Sequence, residues 1–260
     1  MGRIEIRTIR ETEVQEFLEL LCQVFELDPA RAGMIFRTEP FYDLRRKWAL
    51  WHEGRMVSCL TTVPIRFAKF RAIGVAGVAT EPSQRGRGFA ERLLETVLEA
   101  AEADSEGKAL LFAKRTELYQ KVGFEVLDEV VKGEIETSGE QARNPGWLEV
   151  KSEQYQKAYE NWSKGDERRL LRDERRWRYW QWSMKVPYRH GDSYVVWEAP
   201  RTRELLPPFV GLPENASREW VGLASMTERL GLPLRARETE MLLMGCRFPF
   251  VPEMFLTDQF

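Results

Sequence analysis

The sequence predicts an α/β fold with a mixed sheet, and residues 73–113 carry the three features behind that prediction. Residues 73–80 are small or β-branched, which is typical of a strand buried on both faces. A glycine loop at residues 84–88 leads into apolar residues at helical spacing, and residues 109–113 form a second apolar run. A helix between two buried strands is the kind of connection that parallel neighbours require.

The composition of the 260 residues is that of a globular protein. Hydrophobic residues make up 43% and charged residues 31%, and the net charge of −2 gives no general attraction to nucleic acid or to a membrane. The first residues lack the apolar core of a signal peptide and no run reaches about 18 apolar residues, so we expect a cytoplasmic protein with no membrane partner. Three widely spaced cysteines and two histidines fit no metal-ligand spacing, so we expect no metal.

The elements before the glycine loop are predicted from the alternation of polar and apolar residues, from apolar residues at helical spacing, and from turn residues. Thr12 is predicted to cap the first helix, whose buried stripe runs from Phe17 to Phe25. The predicted elements are strand 4–8, the helix after Thr12, a short helix at 29–36, and strands 48–52, 56–67 and 73–80. The last three strands form an antiparallel meander that leads into the loop.

The elements after the loop complete the first half. A helix at about 88–103 is followed by the buried strand 109–113, which we expect to lie parallel to strand 73–80. A short helix then begins at Thr116 and ends at Gly123, in the position where glycine commonly terminates helices. Another strand follows from Phe124.

The glycine loop has the features of an anion site. Backbone N–H groups at the start of a helix are unpaired and, together with the helix dipole, attract a phosphate. Gly86 and Gly88 let a ligand approach the backbone closely, and Arg85 and Arg87 add positive charge at the rim. A tight strand-to-helix turn with solvated arginines is the alternative that these residues alone leave open.

Two motifs in this region resemble the coenzyme-A site of the GNAT superfamily of N-acetyltransferases. In that family a strand ending in V-x-V-x-P leads into R/Q-x-x-G-x-G/A at the head of a helix. The fixed positions are filled here by Val78 and Pro82 in the strand end and by Arg85, Gly88 and Ala90 in the loop. Thr80, which is also β-branched, stands where a second valine is usual. Residues 118–124, Leu-Tyr-Gln-Lys-Val-Gly-Phe, resemble the L-Y-x-K-x-G-F signature that closes the cofactor site.

The second half indicates a further lobe. A polar stretch at residues 138–146 is predicted to be a linker, which divides the chain into residues 1–137 and 138–260. Seven of the nine tryptophans follow residue 137, and we interpret them as part of a second aromatic core. The predicted elements are strand 147–150, a helix from Ser152, a helix from Gly165 that includes the arginine- and tryptophan-rich residues 167–182, strands 194–197 and 221–223, helix 226–230 and strand 240–246.

The two halves together resemble the tandem-GNAT group that includes the enhanced-intracellular-survival acetyltransferases. The resemblance implies a GNAT acyl-CoA N-acyltransferase fold, with an active N-terminal lobe followed by a degenerate GNAT-like lobe. It also implies that acetyl-CoA is the cosubstrate and that the acceptor carries an amine.

The resemblance further implies roles for individual residues. Tyr119 would be the general acid that protonates the leaving thiolate, since a phenol with a pKa of about 10 matches a thiol; a half-buried core tyrosine is the alternative. The backbone N–H of Val78 would stabilise the oxyanion. The residues implied in coenzyme-A binding are Val78, Ala79 and Thr80 for the pantetheine and Arg85, Gly86, Arg87, Gly88, Phe89 and Ala90 for the phosphates.

No motif identifies the base that accepts the amine proton. Phe260 is a candidate, because the chain-terminal carboxylate reaches the active site in some relatives. Two other function classes stay open, an acetyl-CoA sensor without turnover and a nucleic-acid-binding module on the helix predicted over residues 167–182. Acidic residues interrupt that arginine run, which favours a solvated helix face, so no nucleic-acid partner is expected. The acceptor, and whether the chain forms a homo-oligomer, also stay open.

Overall fold

One sheet of twelve strands organises the computed structural model, which describes residues 2–136, 146–214 and 216–260. The strands are β1 (Ile4–Thr8), β2 (Lys47–His52), β3 (Arg55–Arg66), β4 (Arg71–Thr80), β5 (Ala109–Ala113), β6 (Phe124–Ile135), β7 (Leu148–Glu149), β8 (Val186–His190), β9 (Ser193–Glu198), β10 (Arg201–Leu206), β11 (Glu219–Leu223) and β12 (Leu234–Cys246). The helices are α1 (Val14–Phe25), α2 (Pro29–Thr38), α3 (Phe89–Ala103), α4 (Glu117–Lys121), α5 (Ser152–Lys164), α6 (Glu174–Trp182) and α7 (Ala224–Arg229). The order across the sheet is β1-β2-β3-β4-β5-β12-β6-β11-β10-β9-β8-β7.

The first half has the predicted topology. β1 to β4 pair antiparallel in chain order, and the crossover through α3 places β5 parallel to β4. The short helix α4 ends before Gly123, whose φ of +87° is the left-handed conformation that glycine adopts at such ends. The mixed α/β fold and the antiparallel meander into the loop are thereby confirmed.

The second half repeats this plan, and the last strands of the two halves are exchanged. β7 to β10 pair antiparallel, and β11 lies parallel to β10. β6 continues past the first half to pair with β11, while β12 returns to lie between β5 and β6. The sheet is therefore continuous across the division at residues 137 and 138, and that division stays a prediction. The predicted linker lies, except for its last residue, outside the described residues.

Helices are distributed unequally between the two halves. Between β4 and β5 lie the glycine loop and α3, whereas the described residues between β10 and β11 (207–214 and 216–218) contain no helix. The second half therefore has no counterpart of the glycine loop at this position, which agrees with the expectation of a degenerate lobe. In the described part of the chain, no helix combines the length and apolar character needed to cross a membrane.

Three hydrophobic clusters hold the helices on the sheet. α3 packs on one face, in a cluster that contains Leu93 and Leu111, and α1 packs on the other, in a cluster that contains Phe17 and Cys59. The third cluster covers the second half and reaches into the first, and its buried aromatic residues are Phe67, Tyr155, Tyr159, Trp177, Trp180, Tyr194, Trp220 and Phe255. The predicted second aromatic core is confirmed.

The predicted start of the first helix is wrong. Thr12 lies within a short 3-10 turn (Glu11–Glu13), and α1 starts at Val14. The side chain of Glu13 accepts the backbone N–H of Arg10 at 2.7 Å, which stabilises the 3-10 turn, whereas no side chain caps the start of α1. At the other end Phe25 is 46% exposed, so the buried stripe stops before it.

The predicted start of the arginine-rich helix is also wrong. α6 begins only at Glu174, where the side chain of Asp173 caps it by accepting the backbone N–H of Arg176 at 2.8 Å. Residues 167–173 before it form a turn and irregular backbone rather than helix, and the backbone N–H of Leu170 bonds the carbonyl of Glu253 at 3.1 Å near the chain end. This pairing with the chain end thus takes the place of the helix that the local sequence pattern predicted from Gly165.

Candidate functional site

A bulge in β4 marks the centre of the candidate site. Between two regular pairs of β3 and β4, Leu60 alone faces two residues, Gly77 and Val78. Gly77 has a φ of +60°, which glycine adopts without the steric cost that a side chain would bring. Because a bulge leaves one residue out of the ladder, this segment can offer a backbone N–H to a ligand.

β4 and β5 separate next to this bulge. Their pairing ends at Val75 and Leu111, although β4 continues to Thr80. The side chain of Val78 packs on the α3 side of the sheet and that of Ala79 on the α1 side. Within the gap, the backbone groups of residues 78–80 that point away from β3 lie on an edge that β5 does not cover.

A buried carboxylate fixes the turn after β4. Glu81 is 8% exposed, its backbone N–H bonds the carbonyl of Val57 at 2.9 Å, and its side chain accepts from Arg55 and Ser83, each at 3.0 Å. These bonds hold the chain where it leaves the strand and turns towards α3. Glu81 is thus a structural anchor of the loop.

The loop ends in unpaired helix amides. Gly86 and Gly88 have φ values of +77° and +76°, and no side chain caps Gly88 at the start of α3. The first hydrogen bond of the helix runs from the N–H of Arg92 to the carbonyl of Gly88 at 3.0 Å. The preceding N–H groups, including those of Phe89 and Ala90, therefore have no helical acceptor and form the concave, positive end of the helix dipole.

The side chains of the loop lie outside this ring of amides. Arg85 and Arg87 are exposed; Arg85 bonds the carbonyl of Thr80 at 3.3 Å, and the Arg87 guanidinium lies 5.0 Å from the ring of Phe89. Phe89 is buried and its ring packs 5.2 Å from that of His52. Phe89 can therefore contact a ligand only through its backbone, whereas both arginines are free to reorient towards an anion.

Tyr119 lies on α4 and is half-buried beside α3. Its ring packs edge-on against Phe124 at 6.1 Å, within the cluster that also contains Val78 and Phe89. Burial raises the pKa of the Tyr119 phenol above its ordinary value. Within the described residues its hydroxyl makes no hydrogen bond, so a protonated phenol with an unused donor stands at this side of the gap.

A cavity of about 600 Å³ opens on the opposite side of the bulge. α1, α2, β3, β4, α6 and the chain end contribute its walls, and Ala76 and Gly77 lie at its floor. Phe260 also lines it: its ring occupies the space that a side chain at Gly74 would fill and lies 5.4 Å from the ring of Phe112. The structure therefore brings Phe260 to the point where β4 and β5 part.

The family of the first half follows from comparison with known proteins. Residues 5–127 match the family model for the acetyltransferase (GNAT) domain. Residues 5–127 are thereby identified as a GNAT acetyltransferase domain. No curated protein matches the sequence. The matched residues contain β4, the glycine loop, α3 and α4, so the predicted family is confirmed on the elements that led to it.

Solved structures show that the fold extends beyond the GNAT domain. A GCN5-related N-acetyltransferase from Kribbella flavida superposes with a TM-score of 0.71 at 17% identity, over 94% of this chain and 71% of that one. One from Anabaena variabilis ATCC 29413 gives 0.69 at 14% identity, over 94% and 72%. Eis1 from Mycobacterium abscessus gives 0.63 at 13% identity, over 93% and 73%. The likeness to these structures includes both halves of the chain.

The second half holds the chain end against the GNAT domain through a buried ionic network. The fully buried Arg172 binds Asp258 at 2.7 Å and Glu204 at 2.9 Å. Arg176 donates to the carbonyls of Asp258 at 3.2 Å and of Pro64, on β3, at 2.8 Å. These bonds fix the backbone two residues before Phe260. The local pattern does not reveal this network, since the partners of Arg172 are 32 and 86 residues away.

This network also corrects the expectation for the arginine-rich run. Acid–arginine pairs at helical spacing suggested a solvated helix face, but Arg172 and Arg176 are buried. Arg169 binds Glu253 at 3.0 Å, and Arg175 donates to the carbonyl of Pro40 at 2.7 Å. These four arginines bond to groups within the protein. They are therefore not available on the surface with which a nucleic-acid-binding helix would contact its ligand.

Replacement of Arg172 by methionine should destabilise the protein strongly. The variant would leave Glu204 and Asp258 buried without their cation, which costs about 3–5 kcal/mol in comparable buried pairs. Urea unfolding followed by tryptophan fluorescence measures the change. Arg178→Met, at an exposed position of α6, is the matched control and should change the free energy of unfolding by less than about 0.5 kcal/mol. Equal stabilities of the two variants would contradict the structural role of the network.

Proposed function

We propose that this chain transfers the acetyl group of acetyl-CoA to a primary amine. The observation that carries the proposal is the junction between β4 and α3. There the free edge of a separated strand leads directly into the unpaired amides of a helix start. One elongated ligand with amides along its length and phosphates at its end satisfies both sets of groups.

The residues at this junction fit coenzyme A. Backbone N–H groups of residues 85–90 and the dipole of α3 favour the pyrophosphate, and Arg85 and Arg87 add charge-assisted contacts. The strand edge at Val78, Ala79 and Thr80 would pair with the amides of the pantetheine arm, as a neighbouring strand would. This arrangement directs the thioester to the bulge, where the N–H of Val78 would stabilise an oxyanion.

The proposed reaction joins the two sides of the sheet. An amine in the cavity attacks the thioester carbonyl, a bond forms between nitrogen and carbon, and the carbon–sulfur bond then breaks. The amine loses a proton to a base, and the thiolate gains one from an acid. Holding the amine in line with the thioester contributes much of the acceleration, because a bimolecular reaction becomes effectively unimolecular.

Tyr119 is the acid in this proposal. Its half-buried phenol lies on the coenzyme side of the sheet, and its raised pKa keeps it protonated at neutral pH. A donor without a partner in the protein is available to protonate the leaving sulfur. The phenol should titrate only above its ordinary pKa of 10.0, so Tyr119 should cause no loss of activity between pH 7 and 9.

Tyr119→Phe should therefore lower kcat by about 100-fold or more and leave acetyl-CoA affinity nearly unchanged. A thiol-release assay with saturating amine, run beside a calorimetric titration with acetyl-CoA, separates the two quantities. Tyr188→Phe, on β8 of the second half, is the matched control and should retain wild-type kcat. Wild-type turnover by Tyr119→Phe would refute the acid role. Acetyl-CoA binding without thiol release by the wild type would instead favour the sensor.

The carboxylate of Phe260 is our candidate for the base. The residue lines the cavity at the separation of β4 and β5, and the bonds of Arg172 and Arg176 to Asp258 hold its backbone in place. A carboxylate there could accept the proton of the amine, directly or through water.

Deletion of Phe260 tests this role when it is compared with Phe260→Ala. The deletion moves the terminal carboxylate away from the cavity, whereas the substitution removes the ring and keeps the carboxylate. If the carboxylate is the base, kcat should fall by about 100-fold or more in the deletion and by much less in Phe260→Ala. Full activity of the deletion variant, or the same kcat in both variants, would remove Phe260 from the mechanism.

A further inference from the structure

The walls of the cavity beside the bulge are mostly apolar. The side chains that form them include Leu21, Ile35, Phe36, Phe41, Val63 and Phe260. The uncharged polar groups among them are the hydroxyls of Thr61 and Tyr179 and the amide of Gln259, and Tyr179 already donates to the backbone of Gln259 at 3.4 Å. The interior therefore offers few partners to a ligand with many hydroxyl or ammonium groups.

The buried charges on the walls are already neutralised. Lys47, whose side chain is 3% exposed, binds Glu39 at 2.7 Å and lies 4.8 Å from the ring of Phe36. Arg176 is equally buried and donates to the carbonyls of Pro64 and Asp258. A second charged group deep in the cavity would have to compete with these bonds, at a cost that buried charges rarely recover.

Apart from the carboxylate of Phe260, proposed above as the base, free charge is found at the mouth of the cavity. Glu26, Asp28 and Arg31 line the cavity and are exposed, so they lie where it opens to solvent. Asp28 caps α2 by accepting the backbone N–H of Arg31 at 2.7 Å. The carboxylates of Glu26 and Asp28 can attract a cationic amine to the mouth without adding charge to the interior.

From these three observations we propose that the acceptor is a monoamine carried on an apolar body, such as an arylalkylamine. The proposal rests on the acetyl transfer proposed above. A volume of about 600 Å³ is in the usual range of small-molecule sites and holds a ring with a short alkyl chain. A polyhydroxylated polyamine, such as an aminoglycoside, would bury many donors and acceptors without partners.

Thiol release from acetyl-CoA, measured over a panel of amines, tests this assignment. 2-Phenylethylamine should give a kcat/KM at least about tenfold above those of ethanolamine, spermidine and kanamycin, because burial of its ring adds apolar contact. A higher kcat/KM for any of the three polar amines would overturn the acceptor class and leave acetyl transfer standing. Acetyl-CoA binding with no release on any amine would overturn both proposals.

Two adjacent positions of α2 provide a matched pair of variants. Ile35 lines the cavity and Met34 does not, although both side chains are exposed, by 37% and 62%. Ile35→Gln should raise KM for 2-phenylethylamine about fivefold or more with little change in kcat, and Met34→Gln should leave both constants unchanged. Acetyl-CoA affinity should be the same in both variants. Equal KM values for 2-phenylethylamine would mean that this cavity does not bind the acceptor.

Discussion

The separation of β4 from β5 is the constraint on which the site depends. The two strands pair over three residues and then part, while the bulge at Gly77 and Val78 changes the path of β4 at the same point. Unpaired backbone groups on a strand are strong donors and acceptors that need a partner, and the edge of β4 is left with a row of them. The same strand then turns into α3 with more unpaired amides. One continuous stretch of backbone therefore offers both a strand edge that can pair with amides and helix amides that can bind an anion.

The second half contributes to this site through its last strand and the chain end, and its described residues between β10 and β11 form no helix after a glycine loop. β12 lies between β5 and β6, so the strand next to the gap is held by a strand from the far end of the sequence. The segment after β12 then runs back to the cavity, where Arg172 and Arg176 bind Asp258 and so position Phe260. The second half thereby holds the chain end against the cavity beside β4.

Local patterns predicted the strands and helices around the glycine loop well and the walls of the cavity poorly. β4, α3 and β5 were predictable because strong periodicity, glycines and a proline coincide within forty residues or so. The exchange of β6 and β12 was not predictable, since its pairing partners are 85 or more residues apart and leave no local signal. The buried Arg172 shows the same limit: an arginine among acidic residues suggests a solvated helix until its distant carboxylate partners are seen. The cavity lined by Phe36 and Phe41 has no local signal either, since its walls come from residues spread between Leu18 and Phe260.

Calorimetric titration with coenzyme A tests the central claim most directly. Wild-type protein should bind one equivalent, and Gly86→Asp, which adds a negative charge beside the helix amides, should bind at least about tenfold more weakly. Gly191→Asp is the matched control, because Gly191 also has a positive φ and open space around it. It should bind as the wild type does. No binding by the wild type, or equal affinities of the two variants, would contradict the assignment of the junction between β4 and α3 as the coenzyme-A site.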